Sequence, residues 1–364
     1  MNNWIKIVLS FFLFLLLFVA FFHPTNELSL DLGQHLLRGK IIFDTHKIVT
    51  NNLFSYTYPN FSYISYEWLT EVIFYLIITA IGINGLIIFT VFFVLSAYSF
   101  IYIYSLRRHN ILLIAYISIL YFRILFERTY VRPEIVSYLF LSIFIVLLYK
   151  FREKYSKHIF LLIPLQLLWV NMHIYFIVGI FIVALFLFEG MILFRKKYSG
   201  RYIRTLTSVF LLVIIASIVN PYGIKGLLFP LFLSTSYGLT VQENVSIFVA
   251  ESLQKGRIIY PILFFKIVSI VLIFSLFLTF KKSRLIDWLL SLSFIIIAAF
   301  AIRNFPLFIF ATFIPFIHAF MSLLNRGNNF FKKFTEKQIQ IFTAIFIGIF
   351  FVIIALLSLV ILRK

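Results

Sequence analysis

The sequence predicts an all-α integral membrane protein, a polytopic helical bundle of about 11–12 spans. Of the 364 residues, 62% are hydrophobic and only 12% are charged, whereas an average soluble protein has about 25% charged residues. Aromatic residues make up 20% of the chain, and no soluble fold has an interior large enough to hide that much apolar surface. Apolar stretches also recur at about the 20-residue length that a membrane-spanning helix needs.

Taken in order, the candidate spans are 4–22, 84–106, 110–126, 134–150, 159–170, 174–194, 205–219, 260–280, 286–301, 305–323 and 340–362. The first is expected to be retained, because only His23-Pro24 follows it and no small-residue cleavage site does. Two shorter apolar stretches, 67–81 and 224–233, are expected to be re-entrant or partial. We predict one transmembrane domain over 1–325, including an extracytoplasmic loop at 23–66. A basic cytoplasmic linker and a final transmembrane helix then occupy 326–364.

Five basic clusters separate these spans and predict the topology. They lie at 107–108, 150–157, 195–204, 281–284 and 326–337. Two candidate spans lie between each neighbouring pair, so all five clusters can share one side, which the positive-inside rule makes cytoplasmic. The net charge of +19 therefore indicates topology, and no nucleic-acid partner is expected. The alternative is that 67–81 is a true twelfth span, which would weaken the positive-inside bias.

The hairpin tips between the clusters then lie on the opposite, extracytoplasmic side, and they contain most of the unusual polar residues. The tips are 127–134, 170–173, 220–223 and 303–306, and the loop 23–66 is expected to join them. Nine of the 13 acidic residues fall on this side. Cysteine is absent, which excludes thiolate nucleophiles and Cys-ligated metals.

The segment after the first span is predicted to form a short amphipathic helix on the membrane surface, starting at Asn26 and ending at Gly39. Glu27, Asp31 and His35 share one face of it because residues four apart are neighbours on a helix. A carboxylate one turn from a histidine can act as a general base or a metal ligand. The alternative is a solvated helix face.

Glu67 and Glu71 are one turn apart at the start of an apolar helix. Acids at this position can simply complement the positive end of the helix, an interpretation that fits Glu71 better than Glu67. Trp68 between them is typical of the aromatic belt at a membrane interface.

Arg132 and Arg303 are cations in the predicted extracytoplasmic tips, contrary to the positive-inside pattern. Charges at such positions indicate a functional site. Arginine binds phosphate bidentately; the alternative for Arg132 is pairing with Glu127 or Glu134. His173 and Asn171 lie at a span boundary. The alternative to a role in the functional site is that they are hydrogen-bonded structural residues. The turn 220–223 could be a helix terminator only.

Taken in order, these pieces resemble a bacterial family of polytopic membrane glycosyltransferases with the GT-C fold. The resemblance covers residues 1 to about 320. The matching segments are Asp31 to Gly39, Leu53 to Thr57, Glu67 to Glu71, Arg132-Pro133, Leu168 to His173, Val219 to Gly223 and Arg303 to Leu307.

The resemblance implies inverting transfer of a sugar from a polyprenyl-phosphate carrier to an extracytoplasmic acceptor, which would be a cell-envelope glycan, lipid or protein. It implies a multi-pass protein of the bacterial cytoplasmic membrane, in contact with membrane lipid. Asp31 would be the general base and Glu67 the second catalytic candidate, and a divalent metal stays open. The implied substrate-binding residues are His35, Arg132, Asn171, His173, Asn220, Tyr222, Arg303 and Asn304.

The main alternative from a different class is a polytopic transporter or a lipid or polysaccharide flippase, which would also contain intramembrane arginine and histidine. Against it, neither the inverted repeats nor the midplane broken helices of many transporters are visible in the sequence. A polysaccharide polymerase or ligase would need a large late loop, and the loop 234–258 is modest in length.

Overall fold

The computed structural model describes residues 3–22, 31–57, 61–195, 197–236, 242–253 and 258–331. This part of the chain is helical, and its only β-pairs are two isolated bridges. The α-helices, numbered in chain order, are α1 Asn3–Phe21, α2 Leu32–Thr45, α3 Trp68–Ile81, α4 Ile83–Leu106, α5 Ile111–Leu125, α6 Ile135–Glu153, α7 Leu162–Met172, α8 Phe176–Ile192, α9 Gly200–Ile218, α10 Ile224–Ser236, α11 Ile247–Leu253, α12 Tyr260–Leu278, α13 Leu285–Phe300 and α14 Phe305–Phe331.

Among the described residues, five helices are long and apolar enough to cross a membrane. They are α4, α6, α9, α12 and the segment Ile302–Leu324 that contains most of α14. Further apolar helices of 10–17 residues accompany them. The helical class is therefore confirmed, and the long apolar helices fit the predicted membrane protein, whereas the number of spans stays a prediction. The predicted last span, 340–362, lies outside the described residues, and α14 continues past residue 325 to Phe331.

Long helices that follow one another along the chain alternate in direction, as contacts between α1 and α4 illustrate. Ser10 hydrogen-bonds to Tyr102 at 2.6 Å, and the ring of Phe14, one turn later, lies 5.4 Å from that of Tyr98, one turn earlier. The two helices are therefore antiparallel. Because this alternation continues along the chain, the turns between helices collect at two opposite ends of the bundle.

One end, here called the tip end, contains the predicted hairpin tips. The guanidinium of Arg132 donates to Glu243 at 2.7 Å, and Asn171 donates to the backbone oxygen of Val219 at 2.9 Å. Ile302 also donates its backbone N–H to Val245 at 3.3 Å. These contacts join four connecting segments that are distant in sequence. The expectation that the tips meet on one side of the bundle is thus confirmed.

The opposite end, here called the basic end, collects the basic turns. Arg108, just after α4, pairs with Glu153 at the end of α6. Arg284, in the α12–α13 turn, lies 3.9 Å from the same carboxylate. Beside them Arg152 donates two hydrogen bonds to buried Glu189, at 2.8 and 2.9 Å. The basic turns of the described residues therefore lie together, and their cytoplasmic location stays a prediction.

Helices α2 and α3 pack against each other, and α3 lies across the tip end. Thr70 near the start of α3 donates to the backbone oxygen of Met172 at 2.7 Å, and Phe74 contacts Phe89 near the start of α4, with ring centroids 5.8 Å apart. Both partners belong to the tip end. With 14 residues α3 is about 21 Å long, shorter than the roughly 30 Å hydrocarbon core. This geometry fits the expected re-entrant or interfacial segment.

The predicted bounds of the first loop helix were wrong. Asn26 lies outside the described residues, α2 begins at Leu32, and the helix passes through Gly39 to end at Thr45. A Cβ on Gly39 would lie 2.1 Å from the backbone oxygen of Glu71. Glycine at this position therefore permits close approach of two helices, a role that sequence reasoning mistook for helix termination.

Candidate functional site at the tip end

Five charged or titratable side chains form a buried cluster between α2, α3 and the end of α7. We call it the carboxylate cluster: His35, Arg38, Glu67, Glu71 and His173. Each is at most 9% exposed, and Glu71 is fully buried. Since buried charges are costly unless they are paired and hydrogen-bonded, the contacts within this cluster determine whether it can exist.

Glu71 lies at the centre of the α2–α3 contact. Its Oε1 accepts a hydrogen bond from Nε of Arg38 at 2.6 Å, and its Oε2 accepts one from the Ser65 hydroxyl at 3.1 Å. Nδ1 of His35 lies 2.9 Å from Oε1 of Glu71 and 3.0 Å from Nη2 of Arg38. The imidazole can therefore donate to the carboxylate when Nδ1 is protonated or accept from the guanidinium when it is not.

Glu67 is held by a chain of hydrogen bonds that reaches into the bundle. Trp169 donates to Ser137 at 2.9 Å, and the Ser137 hydroxyl lies 2.9 Å from Nδ1 of His173. The backbone N–H of Tyr175 also points at Nδ1, at 3.2 Å, so Nδ1 is the acceptor. The proton of the neutral imidazole is then on Nε2, which lies 3.2 Å from Oε1 of Glu67 and donates to it.

These neighbours decide the ionisation of Glu67. Burial alone would raise the pKa of its carboxyl group. The hydrogen bond from His173 and the electrostatic contributions of His35, His173 and Arg303 outweigh burial and hold the pKa of Glu67 below its ordinary value. At neutral pH the site therefore presents a carboxylate that is ionised and fixed in orientation.

The carboxylate cluster includes the one set of described residues whose geometry could hold a metal ion. One ligand atom each of His35, Glu67 and Glu71 lie within 4.8 Å of one another. However, Arg38 already bonds to both Glu71 and His35 at 2.6 and 3.0 Å. The guanidinium supplies the positive charge that a metal would bring, and a metal would have to displace it. The residues therefore do not fit a metal.

The two predicted phosphate-binding arginines differ in how their charge is compensated. Arg132 and Arg128 share Glu243, at 2.7 and 3.1 Å, so the ion-pair partner of Arg132 is Glu243 and not Glu134. The side chain of Glu127 lies outside the described part of the structure.

Arg303 instead contacts mainly neutral groups. Its Nε donates to the Tyr175 hydroxyl at 3.1 Å and its Nη1 to Asn244 at 3.2 Å. Its nearest carboxylate is that of Glu134, at 4.0 Å. Both arginine side chains are about a quarter exposed, but the nearest carboxylate is farther from Arg303 than from Arg132. Arg303 is therefore better placed to receive an anionic ligand.

Two cavities adjoin the carboxylate cluster. The first, of about 320 Å³, opens beside Arg38, whose guanidinium lies over the rings of Phe54 and Tyr63 at 5.4 and 5.2 Å. Its lining also includes the amide and hydroxyl side chains of Gln34, Asn51, Asn52 and Ser55 and the apolar side chains of Leu53 and Phe61. Its size is near the lower end of the roughly 300–1,000 Å³ range of small-molecule pockets.

The second is an open, mainly apolar groove of about 420 Å³ between α3, α7 and the turn after α9. Trp68 lines it and donates to Oδ1 of Asn171 at 3.0 Å. The other lining residues are Leu69, Leu167, Leu168, Val219, Asn220 and Pro221. Motifs at 67–71, 168–173 and 219–223 thus meet at one groove.

Asp31, the predicted general base, lies apart from the cluster. It precedes the first residue of α2, its side chain makes no cap hydrogen bond, and it is exposed. Among the described residues no ion pair of Asp31 is present. The geometry therefore brings Glu67, and not Asp31, together with the histidines.

Three other predicted residues have structural contacts that explain them. Asn220 donates to the backbone oxygens of residues 217 and 223 and closes its own turn. The Tyr222 hydroxyl donates to Val49 at 3.0 Å and accepts from the backbone of Ser65 at 2.9 Å. Asn304 accepts from Tyr175 at 3.0 Å. These contacts position the first loop and Arg303.

Sequence reasoning missed part of the cluster. The sequence pattern places Glu71 at a helix terminus and does not single out Arg38. The available signal was an acid inside an apolar run, since a buried carboxylate needs a cation nearby. Tyr175 had no such signal.

A comparison with protein-family models finds no match to this chain, and neither does a search of curated protein sequences.

Proposed function

We propose that this protein is a membrane glycosyltransferase with a GT-C-like fold of about 11–12 spans, which transfers a sugar from a polyprenyl-phosphate carrier to an extracytoplasmic acceptor. The observation that carries the proposal is the buried carboxylate of Glu67 at the tip end, which lies 3.2 Å from Nε2 of His173. Arg303 is among the groups that lower the pKa of this carboxyl group. Sugar transfer from a phosphate leaving group needs both a proton acceptor and a cation for the phosphate.

The proposed reaction is a single displacement. The acceptor hydroxyl oxygen forms a bond to the anomeric carbon, the bond from that carbon to the carrier phosphate breaks, and the phosphate leaves with the electron pair. Glu67 takes the hydroxyl proton as the new bond forms. Arg303 stabilises the charge that develops on the leaving phosphate.

The two cavities provide room for both substrates. The polar and aromatic lining of the cavity beside Arg38 suits a hydroxyl-rich sugar or acceptor, because amides hydrogen-bond hydroxyls and rings pack on apolar sugar faces. The apolar groove at Trp68 suits the first isoprenoid units of the carrier. In this assignment the carrier phosphate lies between the groove and Arg303.

The test compares lipid-linked sugars in cells that lack this protein and that express variants in its place. Loss of transfer makes the polyprenyl-phosphate sugar accumulate, as quantified by mass spectrometry of extracted lipids. Glu67→Gln should accumulate the donor to the level of the deletion, because the amide cannot accept the proton. Glu251→Gln is the matched control, since Glu251 pairs with Lys266 outside the cluster.

Asp31→Asn separates the two candidate bases. Wild-type lipid profiles in Asp31→Asn together with accumulation in Glu67→Gln would assign the base to Glu67, and the reverse pattern would assign it to Asp31. Normal profiles in both variants, at wild-type expression, would refute the proposal. If the protein is a flippase, the intact lipid-linked sugar should move across the membrane of liposomes that contain the purified protein. No free polyprenyl phosphate should then be released.

A further inference from the structure

A second polar cavity lies at the basic end of the bundle, on the opposite side from the proposed transfer site. Its volume is about 280 Å³. It lies between the α4–α5 turn, the α12–α13 turn and the middle of α14. The polar side chains that line it are mainly cationic or titratable: Arg108, His109, Lys282, Arg284, Asp287 and His318.

The one carboxylate in this lining is engaged by neighbouring groups. Oδ1 of Asp287 accepts a hydrogen bond from the Tyr149 hydroxyl at 2.5 Å, and its Oδ2 lies 3.2 Å from Nδ1 of His318. An ionised carboxylate requires a proton on Nδ1 of His318 for this contact. Nε2 of His318 is then directed away from Asp287, and it lies 3.4 Å from Nη1 of Arg284.

His109 lines the same cavity as these cationic groups. Burial and the positive charges of His318, Arg284 and Arg108 lower the pKa of His109 to about 4. Its Nε2 is buried and has no hydrogen-bond partner within the described ranges, which is uncommon for a buried polar atom. The imidazole ring lies 5.7 Å from that of His318, so both rings face the same space.

Membrane topology alone does not account for this arrangement. Basic residues that set topology need only lie in loops on the cytoplasmic side, and exposed Arg107 and Lys281 fit that description. Arg284 and His109 are instead partly buried and converge with Lys282 on one cavity. Glu153 pairs with Arg108 and lies near Arg284, and Asp287 is the second carboxylate beside these cations. Arg108, Lys282 and Arg284 therefore leave a net positive charge around the cavity, which is unfavourable unless a further anion compensates it.

From this convergence we infer that the basic-end cavity binds a phosphate-bearing anion, either the headgroup of an anionic phospholipid or a soluble phosphate compound. Arginine presents a planar set of donors that matches phosphate oxygens, and lysine adds a point charge. Arg284 and Lys282 are the principal ligands, and Nε2 of His109 supplies a further hydrogen bond. The site is independent of the proposed sugar transfer at the tip end.

The test uses the purified full-length protein in phosphatidylcholine nanodiscs, with and without phosphatidate. Binding of inorganic pyrophosphate is measured by titration calorimetry, and retained phosphatidate is measured by native mass spectrometry. We expect Arg284→Gln to weaken binding about tenfold, the effect of losing one charge-assisted hydrogen bond. Lys282→Gln should weaken it severalfold, and this exposed position can change without disturbing the fold. Lys281→Gln is the matched control and should bind as wild type.

The two sources of phosphate give different results. If phosphatidate abolishes pyrophosphate binding or is itself retained, the ligand is a lipid headgroup. If pyrophosphate binds equally in both nanodiscs, the ligand is soluble. The absence of saturable binding in both arms would overturn the inference, and so would a loss in Lys281→Gln equal to that in Lys282→Gln.

Discussion

Replacing Gly39 with alanine tests the contact on which the carboxylate cluster depends. The new Cβ would lie 2.1 Å from the backbone oxygen of Glu71, whereas carbon–oxygen contacts are ordinarily about 3.3–3.6 Å. Helices α2 and α3 must then separate by more than about 1 Å. This displacement would lengthen the Arg38–Glu71 hydrogen bond from 2.6 Å to about 3.7 Å, beyond hydrogen-bond range.

Overpacking of this kind costs about 1–3 kcal/mol, and alanine returns up to about 1 kcal/mol because it favours a helix over glycine. We expect a net loss of about 1–2 kcal/mol, seen as a lower unfolding temperature of the detergent-solubilised protein. Gly33→Ala on the same helix is the control, since nothing lies within 4 Å of its added Cβ. Equal unfolding temperatures for Gly39→Ala and Gly33→Ala would refute the close packing of α2 on α3.

Three further changes test other parts of the molecule. The pKa of Glu67 is lower in the native state than in the unfolded state, where it is about 4.3. The stabilisation from its charge is therefore complete above about pH 4.3 and is lost as the pH falls through the native pKa. Transfer activity should decline only below about pH 4.3, and a decline that begins near pH 6 would contradict this. Arg152→Ala leaves the buried carboxylate of Glu189 without its cation and should lower the free energy of unfolding by about 3–5 kcal/mol. The control, Lys154→Ala at an exposed position, should lower it by less than about 1 kcal/mol. Equal unfolding temperatures for the two variants would exclude the buried pair. Tyr222→Phe removes the hydroxyl that accepts from the Ser65 backbone N–H and should lower the free energy of unfolding by about 1–3 kcal/mol. The loop 46–66 should then be cleaved faster by a protease. Cleavage at the wild-type rate would count against the contact.

Much of the architecture could be predicted because it depends on hydrophobicity alone. Apolar stretches and basic clusters alternate along the chain, and two spans between clusters bring all the tips to one end. Glu67 and His173 could be predicted to share that end for this reason. Their direct contact at 3.2 Å could not, because it requires the position of α3 across the tip end.

The remainder of the site depends on packing that a linear pattern does not encode. Glu71 is one turn from Glu67, which predicts a shared helix face, yet its burial follows from the approach of α2 at Gly39. The partner of Arg132 is Glu243, more than 100 residues later in the chain. Charge pairing across such separations is set by which tips become neighbours.

The hydrogen bond between Glu67 and His173 also has a consequence for biosynthesis. The two residues are 173 − 67 = 106 positions apart, so a ribosome working at about 5–20 residues per second needs about 5–20 seconds to supply the second after the first. During that interval the nascent chain has α3 but no α7, and the Glu67 carboxylate must be hydrated or protonated. Docking of the α3 segment across the bundle is therefore expected to follow, and not precede, insertion of α7.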